Sequence, residues 1–167
     1  MAKIPEPCPG LVFRYRFLRI WQYERGEQVG KERPCCLLFP LKAGQTISGT
    51  PVHDESGQAI SDRHLARDHE VLVLLIQSDR PGPDQMGIEL TPGDKRHIGL
   101  PDLQPSYVIV SEVNVDRWPN GDMCLIPGHR SSFTYERPVP GPLLSRIMKG
   151  FLRVQSAGKL RILVRHP

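Results

Sequence analysis

The sequence predicts a mainly β domain of the α+β class, and three observations carry that reading. Glycine and proline are abundant, 15 and 17 of 167 residues, and a chain interrupted so often builds short strands and turns rather than a helical bundle or coiled coil. Several apolar runs are short, β-branched and bounded by turn residues, the clearest being Glu70-Val71-Leu72-Val73-Leu74-Leu75-Ile76. The best helical stretch, 142–154, repeats Leu143, Leu144, Ile147, Met148, Phe151 and Leu152 at helical spacing.

Taken in order, residues 1–9 carry Pro5, Pro7 and Pro9 and read as an extended arm ahead of a single domain over 10–167. The first strand spans Leu11 to Arg19, with Phe13, Tyr15 and Phe17 on one face and Arg14 and Arg16 on the other. A charged loop, Gln22 to Glu32, leads through Arg33-Pro34 into the apolar strand Cys35 to Phe39. Pro34 suits the first position of that strand, where no ladder donor is lost. Residues 42–67 form a long loop, with a small hairpin around Val52 to Ile60. After the core strand, Pro81 to Pro83 is a turn and Met86 to Leu90 a short strand. Thr91 then caps a short helix with Pro92 at its first position, and Gly99 ends it. Ser106 to Val115 is a strand, Trp118 to Asp122 a turn, Ser132 to Tyr135 a short strand, and Lys159 to Arg165 a closing strand after the helix.

The balance of 22 Lys and Arg against 18 Asp and Glu leaves a net charge of +4. That mild excess suits RNA or an acidic protein segment without choosing between them. No run of about 20 apolar residues is present, so no membrane span is expected. Met1 to Pro9 has no long apolar stretch of the secretory type. Cys8, Cys35, Cys36 and Cys124 show no C-x-x-C spacing. A reduced, cytoplasmic protein is the economical reading, although an even cysteine count leaves a disulfide open.

Candidate chemistry is sparse. The histidines His53, His64, His69, His97, His129 and His166 follow no catalytic or metal-ligand spacing. Neither G-x-S-x-G nor G-x-x-x-x-G-K occurs, so no cofactor and no metal site is expected. One polar stretch remains, Glu24, Arg25, Glu27, Gln28, Lys31, Glu32 and Arg33. A charged loop is most often simply solvated. Arg33 is less ordinary, because a guanidinium held where a loop becomes a strand suits bidentate capture of a phosphate. Ser78, after the core strand, is placed to face the same groove.

These residues also carry a resemblance. Gly10-Leu11-Val12, then Gly26-Glu27-Gln28-Val29-Gly30-Lys31-Glu32-Arg33-Pro34 and the apolar strand after it, resemble the opening of the MazF/PemK toxin family. Val71 to Ser78 resembles that family's central strand. Ile98-Gly99-Leu100, Tyr107 to Asn114, Trp118-Pro119 and the helix with Leu144, Ile147 and Phe151-Leu152 are similar to a PemK-like subgroup of plasmid-maintenance growth inhibitors. The likeness covers about residues 10–155.

The resemblance implies an SH3-like β-barrel with a C-terminal helix, forming a homodimer. It implies metal-independent cleavage of single-stranded RNA, neutralised by an antitoxin protein. The family's catalytic arginine falls on Arg33 and its loop glutamate on Glu27. Its catalytic threonine falls on Gln77, a carboxamide with no titratable proton, and Ser78 beside it keeps a hydroxyl. Arg14, Arg16, Lys31 and Arg80 are then the expected RNA-binding cations. A second reading stays open on the strength of Gln77: a catalytically degenerate barrel that binds RNA or a peptide. A third is a structural β-domain with no RNA role, since aromatic residues at 7% offer no obvious stacking platform.

Overall fold

The computed structural model describes residues 4–49, 63–101, 103–128 and 131–165. Its strands are β1 (Val12–Phe17), β2 (Lys31–Pro40), β3 (Thr46–Ser48), β4 (Arg63–Leu65), β5 (Glu70–Gln77), β6 (Gly87–Glu89), β7 (Tyr107–Arg117), β8 (Met123–Cys124) and β9 (Arg161–Val164). Its helices are α1 (Ile20–Glu24), α2 (Pro92–Ile98) and α3 (Gly141–Ser156). The main sheet runs β6-β7-β5-β2-β1-β8 with antiparallel neighbours. β9 adds to β7 in parallel, and β3 pairs with β4 as a separate ribbon. The chain is therefore mainly β with a few helices. Among the described residues the strand path is open, and no pairing closes it into a ring.

β5 explains the core. Every residue from Glu70 to Gln77 is buried, because the sheet is covered on both faces and the period-2 alternation of a half-exposed strand is lost. Leu72, Leu74 and Ile76 join Val12, Cys36, Leu38, Val113 and the helix residues Leu143, Ile147 and Phe151 on one side. Val71, Val73 and Leu75 join Phe13, Tyr15, Phe17, Cys35 and Leu37 on the other. α3 packs by Leu143, Ile147, Phe151 and Val154, whereas Leu152 is 49% exposed and lies off the apolar face that the sequence assigned to it. No described helix is long and apolar enough to cross a membrane.

Local signals hold at α2. Thr91 Oγ1 accepts from Asp94 N at 3.1 Å, Asp94 Oδ2 accepts from Thr91 N at 2.9 Å, and Gly99 ends the helix at φ 91°. Elsewhere the structure corrects the sequence. The first strand stops at Phe17, and α1 occupies the start of the expected loop. Its Ile20 N–H is taken by Glu112 Oε1 at 3.3 Å. β2 starts at Lys31, so Pro34 lies within the strand rather than at its head. Gly30 lets the chain turn back tightly, since a Cβ there would overlap the Phe17 carbonyl. The segment near Ser132–Tyr135 touches β1 through a single bridge, Phe13 to Thr134, instead of forming a strand. The expected hairpin at 52–60 lies outside the described residues, but the 42–67 stretch contributes β3 and β4 at its two ends.

All four cysteines are free. The arm is tied down where it is described: Ile4 and Cys8 pack on the apolar cluster around Phe13, and the Pro5 carbonyl accepts from Trp118 Nε1 at 2.9 Å.

One polar network crosses this apolar frame. Tyr15 OH donates to Asp116 Oδ2 at 2.7 Å and accepts from Arg165 Nη1 at 3.1 Å. Arg165 Nη1 also reaches the Arg16 carbonyl at 2.9 Å and Asn114 Oδ1 at 3.1 Å, while Nη2 reaches Asp122 Oδ2 at 3.0 Å. Asn114 closes the set by bonding both the N–H and the carbonyl of Leu18, at 3.0 and 2.8 Å. Burial, then the Asp116 charge, pushes the Tyr15 phenol well above its usual range, so it serves as a neutral donor.

Two predictions follow from burial. Arg165→Met removes a cation that is only 5% exposed, and the urea midpoint is expected to fall by the equivalent of about 3–5 kcal/mol. Burial raises the Cys36 thiol from 9.0 to about 12, whereas an unfolded thiol ionises near its ordinary value. The thiol's contribution to stability is thus whole below pH 9 and is lost as pH rises toward 12, with Cys35 and Tyr15 acting in the same direction. Urea midpoints measured from pH 8 to 11 should decline, and Cys36→Val should make the decline shallower.

Candidate functional site

The site begins with a missing N–H. Leu37 N donates to Leu11 O at 2.8 Å, which assigns the odd-numbered residues of this part of β2 to bonding with β1. The even-numbered ones turn their backbone groups to β5. Pro34 is one of these, and it has no donor to give. The β2–β5 pairing accordingly stops at Cys35 and Leu75. Beyond that point the strands part around a cleft of about 220 Å³, whose walls include Arg14, Arg33, Gln77, Ser78, Gln104 and Tyr135.

Arg33 is held by its place in the ladder opposite Tyr15. Its Nε is buried and has no hydrogen-bond partner among the described residues. A buried donor without an acceptor is costly and uncommon, and on a charged guanidinium it invites an anion. Arg14, across from Pro34, adds a second guanidinium, partly occupied by Glu32 through Nε–Oε1 at 3.5 Å and Nη2 to the Glu32 carbonyl at 3.4 Å. Ser78 is exposed just past the end of β5 and lines the same cleft. The strict alternation of a strand no longer fixes where its hydroxyl points.

Gln77 has a different job. It is buried, and its Nε2 donates to the Asp79 carbonyl at 2.8 Å and to Gln85 Oε1 at 3.2 Å. Gln85 Nε2 returns a bond to Gln77 Oε1 at 3.2 Å, and Gln85 Oε1 also takes the Gly82 N–H at 2.9 Å. Both ends of the Gln77 amide are therefore engaged in fixing the turn between β5 and β6.

The other sequence candidates do not line this cleft. Glu27 is exposed in the turn after α1, with its N–H on the Gln22 carbonyl at 3.0 Å. Arg16 faces the 121–122 turn, 3.4 Å from the Gly121 carbonyl and 3.9 Å from Asp122 Oδ1. Lys31 and Arg80 are exposed. The sequence missed Gln104, Ser106 and Tyr135, which line the cleft from the segment after α2 and from the chain beside β1. Lys95 is buried on α2 and draws the first of these in, through Nζ on the Gln104 carbonyl at 2.9 Å. A buried lysine on a short helix carries no sequence signal for that placement.

Chemically the cleft offers guanidinium, hydroxyl and amide groups. It is suited to an anion with several oxygens, such as a phosphodiester. Its titratable side chains are Arg14, Arg33 and Tyr135, with no carboxylate or imidazole on the wall. Among the described residues no three His, Cys, Asp or Glu side chains gather into a metal-holding group.

Gln77→Ala should release the turn. The expected cost is about 1–3 kcal/mol in urea unfolding, with faster amide exchange at Gly82 read by NMR. No protein-family model, curated protein or solved structure matches this chain.

Proposed function

We propose that the chain is a metal-independent endoribonuclease of MazF/PemK type, the toxin of a type II toxin–antitoxin pair, with the Arg33 cleft as its site. The observation that carries this reading is the buried, unpartnered Arg33 Nε on a wall shared with Arg14 and Ser78. In single-stranded RNA a ribose 2′-hydroxyl attacks the adjacent phosphorus, and negative charge grows on the phosphoryl oxygens. A fixed guanidinium stabilises that charge with little reorganisation. The antiparallel β1–β2–β5–β7 run with α3 packed on it supports an SH3-like barrel as the parent form. Homodimer formation, cytoplasmic location and an antitoxin protein that covers the cationic cleft belong to the same reading.

A second reading has its own observation. The Gln77 amide is engaged at both ends, and Glu27 stands outside the cleft. The cleft then lacks a side chain to take the 2′-hydroxyl proton, and the protein binds RNA without cutting it.

One experiment separates the two. Long single-stranded RNA is incubated with the protein in EDTA, beside Arg33→Ala whose thermal melt matches the parent. Cleavage is expected from the parent and a loss of about 10²–10³-fold from the variant. Intact RNA with salt-sensitive binding that vanishes in Arg33→Ala supports the binding module. Cleavage or binding indifferent to Arg33→Ala overturns the site.

A further inference from the structure

A second cavity, of about 430 Å³, shares no residue with the Arg33 cleft. It lies between the N-terminal arm, the entry to β5 and the Trp118-Pro119 turn. Its size is in the range of small-molecule sites, roughly 300–1,000 Å³.

The charge on its walls is opposite to that of the chain. The protein carries +4 overall, yet Glu6 and Glu70 line this cavity and no lysine or arginine does. Glu70 is only 5% exposed. Its two partners, Arg67 N at 2.6 Å and His64 Nε2 at 2.9 Å, both bond Oε1. Oε2 takes no hydrogen bond from a described residue. A carboxylate so nearly buried favours a cationic partner for its second oxygen.

The surrounding walls are apolar and fixed. Trp118 is 7% exposed and anchored twice, by its backbone N on the His69 carbonyl at 2.7 Å and by its indole N–H on the Pro5 carbonyl at 2.9 Å. Its ring packs edge-on against Phe13 at 5.1 Å between centroids. His69, which lines the cavity next to Glu70, sits at φ 63°, alone among the described non-glycine residues in having a positive φ. Strain of this kind persists where surrounding contacts over-determine it, as at ligand clamps. Proline walls and a clamped indole suit an organic group, whereas a bare metal ion wants a shell of several oxygen ligands.

We propose that this cavity binds a small organic ammonium ion, with Glu70 as counter-ion and Trp118 as apolar wall. The carboxylate supplies charge selection, and the indole and prolines supply area.

The test uses the whole chain and three probes of one shape: benzylammonium, benzyl alcohol and benzoate. The chain has two tryptophans, and Trp21 is exposed on α1, so the two indole N–H resonances report different places. Benzylammonium is expected to shift the Trp118 indole signal saturably and leave Trp21 in place. Benzyl alcohol should bind at least tenfold more weakly, and benzoate more weakly still. Glu70→Gln keeps an Oε1 acceptor for Arg67 and His64. It should weaken benzylammonium at least tenfold without altering benzyl alcohol, and Arg33→Ala should change nothing. Equal affinity for the amine and the alcohol, tighter binding of benzoate, no saturable shift at Trp118, or undiminished amine binding to folded Glu70→Gln overturns the proposal. If Glu70→Gln does not fold, the ranking of the three probes on the parent protein decides.

Discussion

The buried guanidinium of Arg165 is the interaction on which the rest of this structure leans. Burying a cation in an apolar frame is expensive, and it is tolerated only with nearly complete hydrogen bonding. Arg165 finds its partners in Tyr15, the Arg16 carbonyl, Asn114 and Asp122. Those partners lie on β1, on β7 and in the turn before β8, so one side chain fixes β9 and three other places at once. Tyr15 is also the ladder partner of Arg33. The same residue that ties into the buried network therefore sets the strand position of the cleft's main cation.

The cleft arises from a shortage of backbone donors rather than from an added loop. β5 bonds β2 on one side and β7 on the other, and its apolar residues are buried on both faces. Were that ladder continuous, no space would open at its end. Pro34 stops it on the β2 side. Gln77 then braces the exit of β5 against the turn carrying Gln85. Rigid sheet on one side and a braced turn on the other hold the two guanidinium groups in a defined opening, which is the kind of preorganisation an anion site needs.

What the sequence disclosed follows from the range of the interactions. α2 was legible down to its caps, because Thr91, Pro92 and Gly99 act on neighbours within one turn. β5 and α3 were legible from apolar pattern, since the core they face selects it. α1 was not, because it is short and its first N–H is met by Glu112 from distant β7. Arg165 and Asn114 read as ordinary strand residues, and only the fold shows that they are buried partners. At the cleft, Arg33, Arg14, Gln77 and Ser78 were within reach because they sit at strand ends in a recognisable order. Tyr135 and Gln104 arrive through tertiary contacts that leave no local trace, and the bracing role of Gln77 depends on Gln85 across a turn. Glu27, Arg16, Lys31 and Arg80 show the reverse: charge in the right stretch of sequence does not place a side chain on a particular wall.

The span of the Arg165 network also bears on how the molecule is made. Tyr15 and Arg165 are 150 positions apart, and a ribosome adds roughly 5–20 residues each second. For several seconds the nascent β1 has its phenol but not the guanidinium that completes its surroundings. Contacts of such long separation close late. The strand that positions Arg33 is fastened on its far face only as β9 emerges, so a competent cleft belongs to the finished polypeptide and not to its growing intermediates.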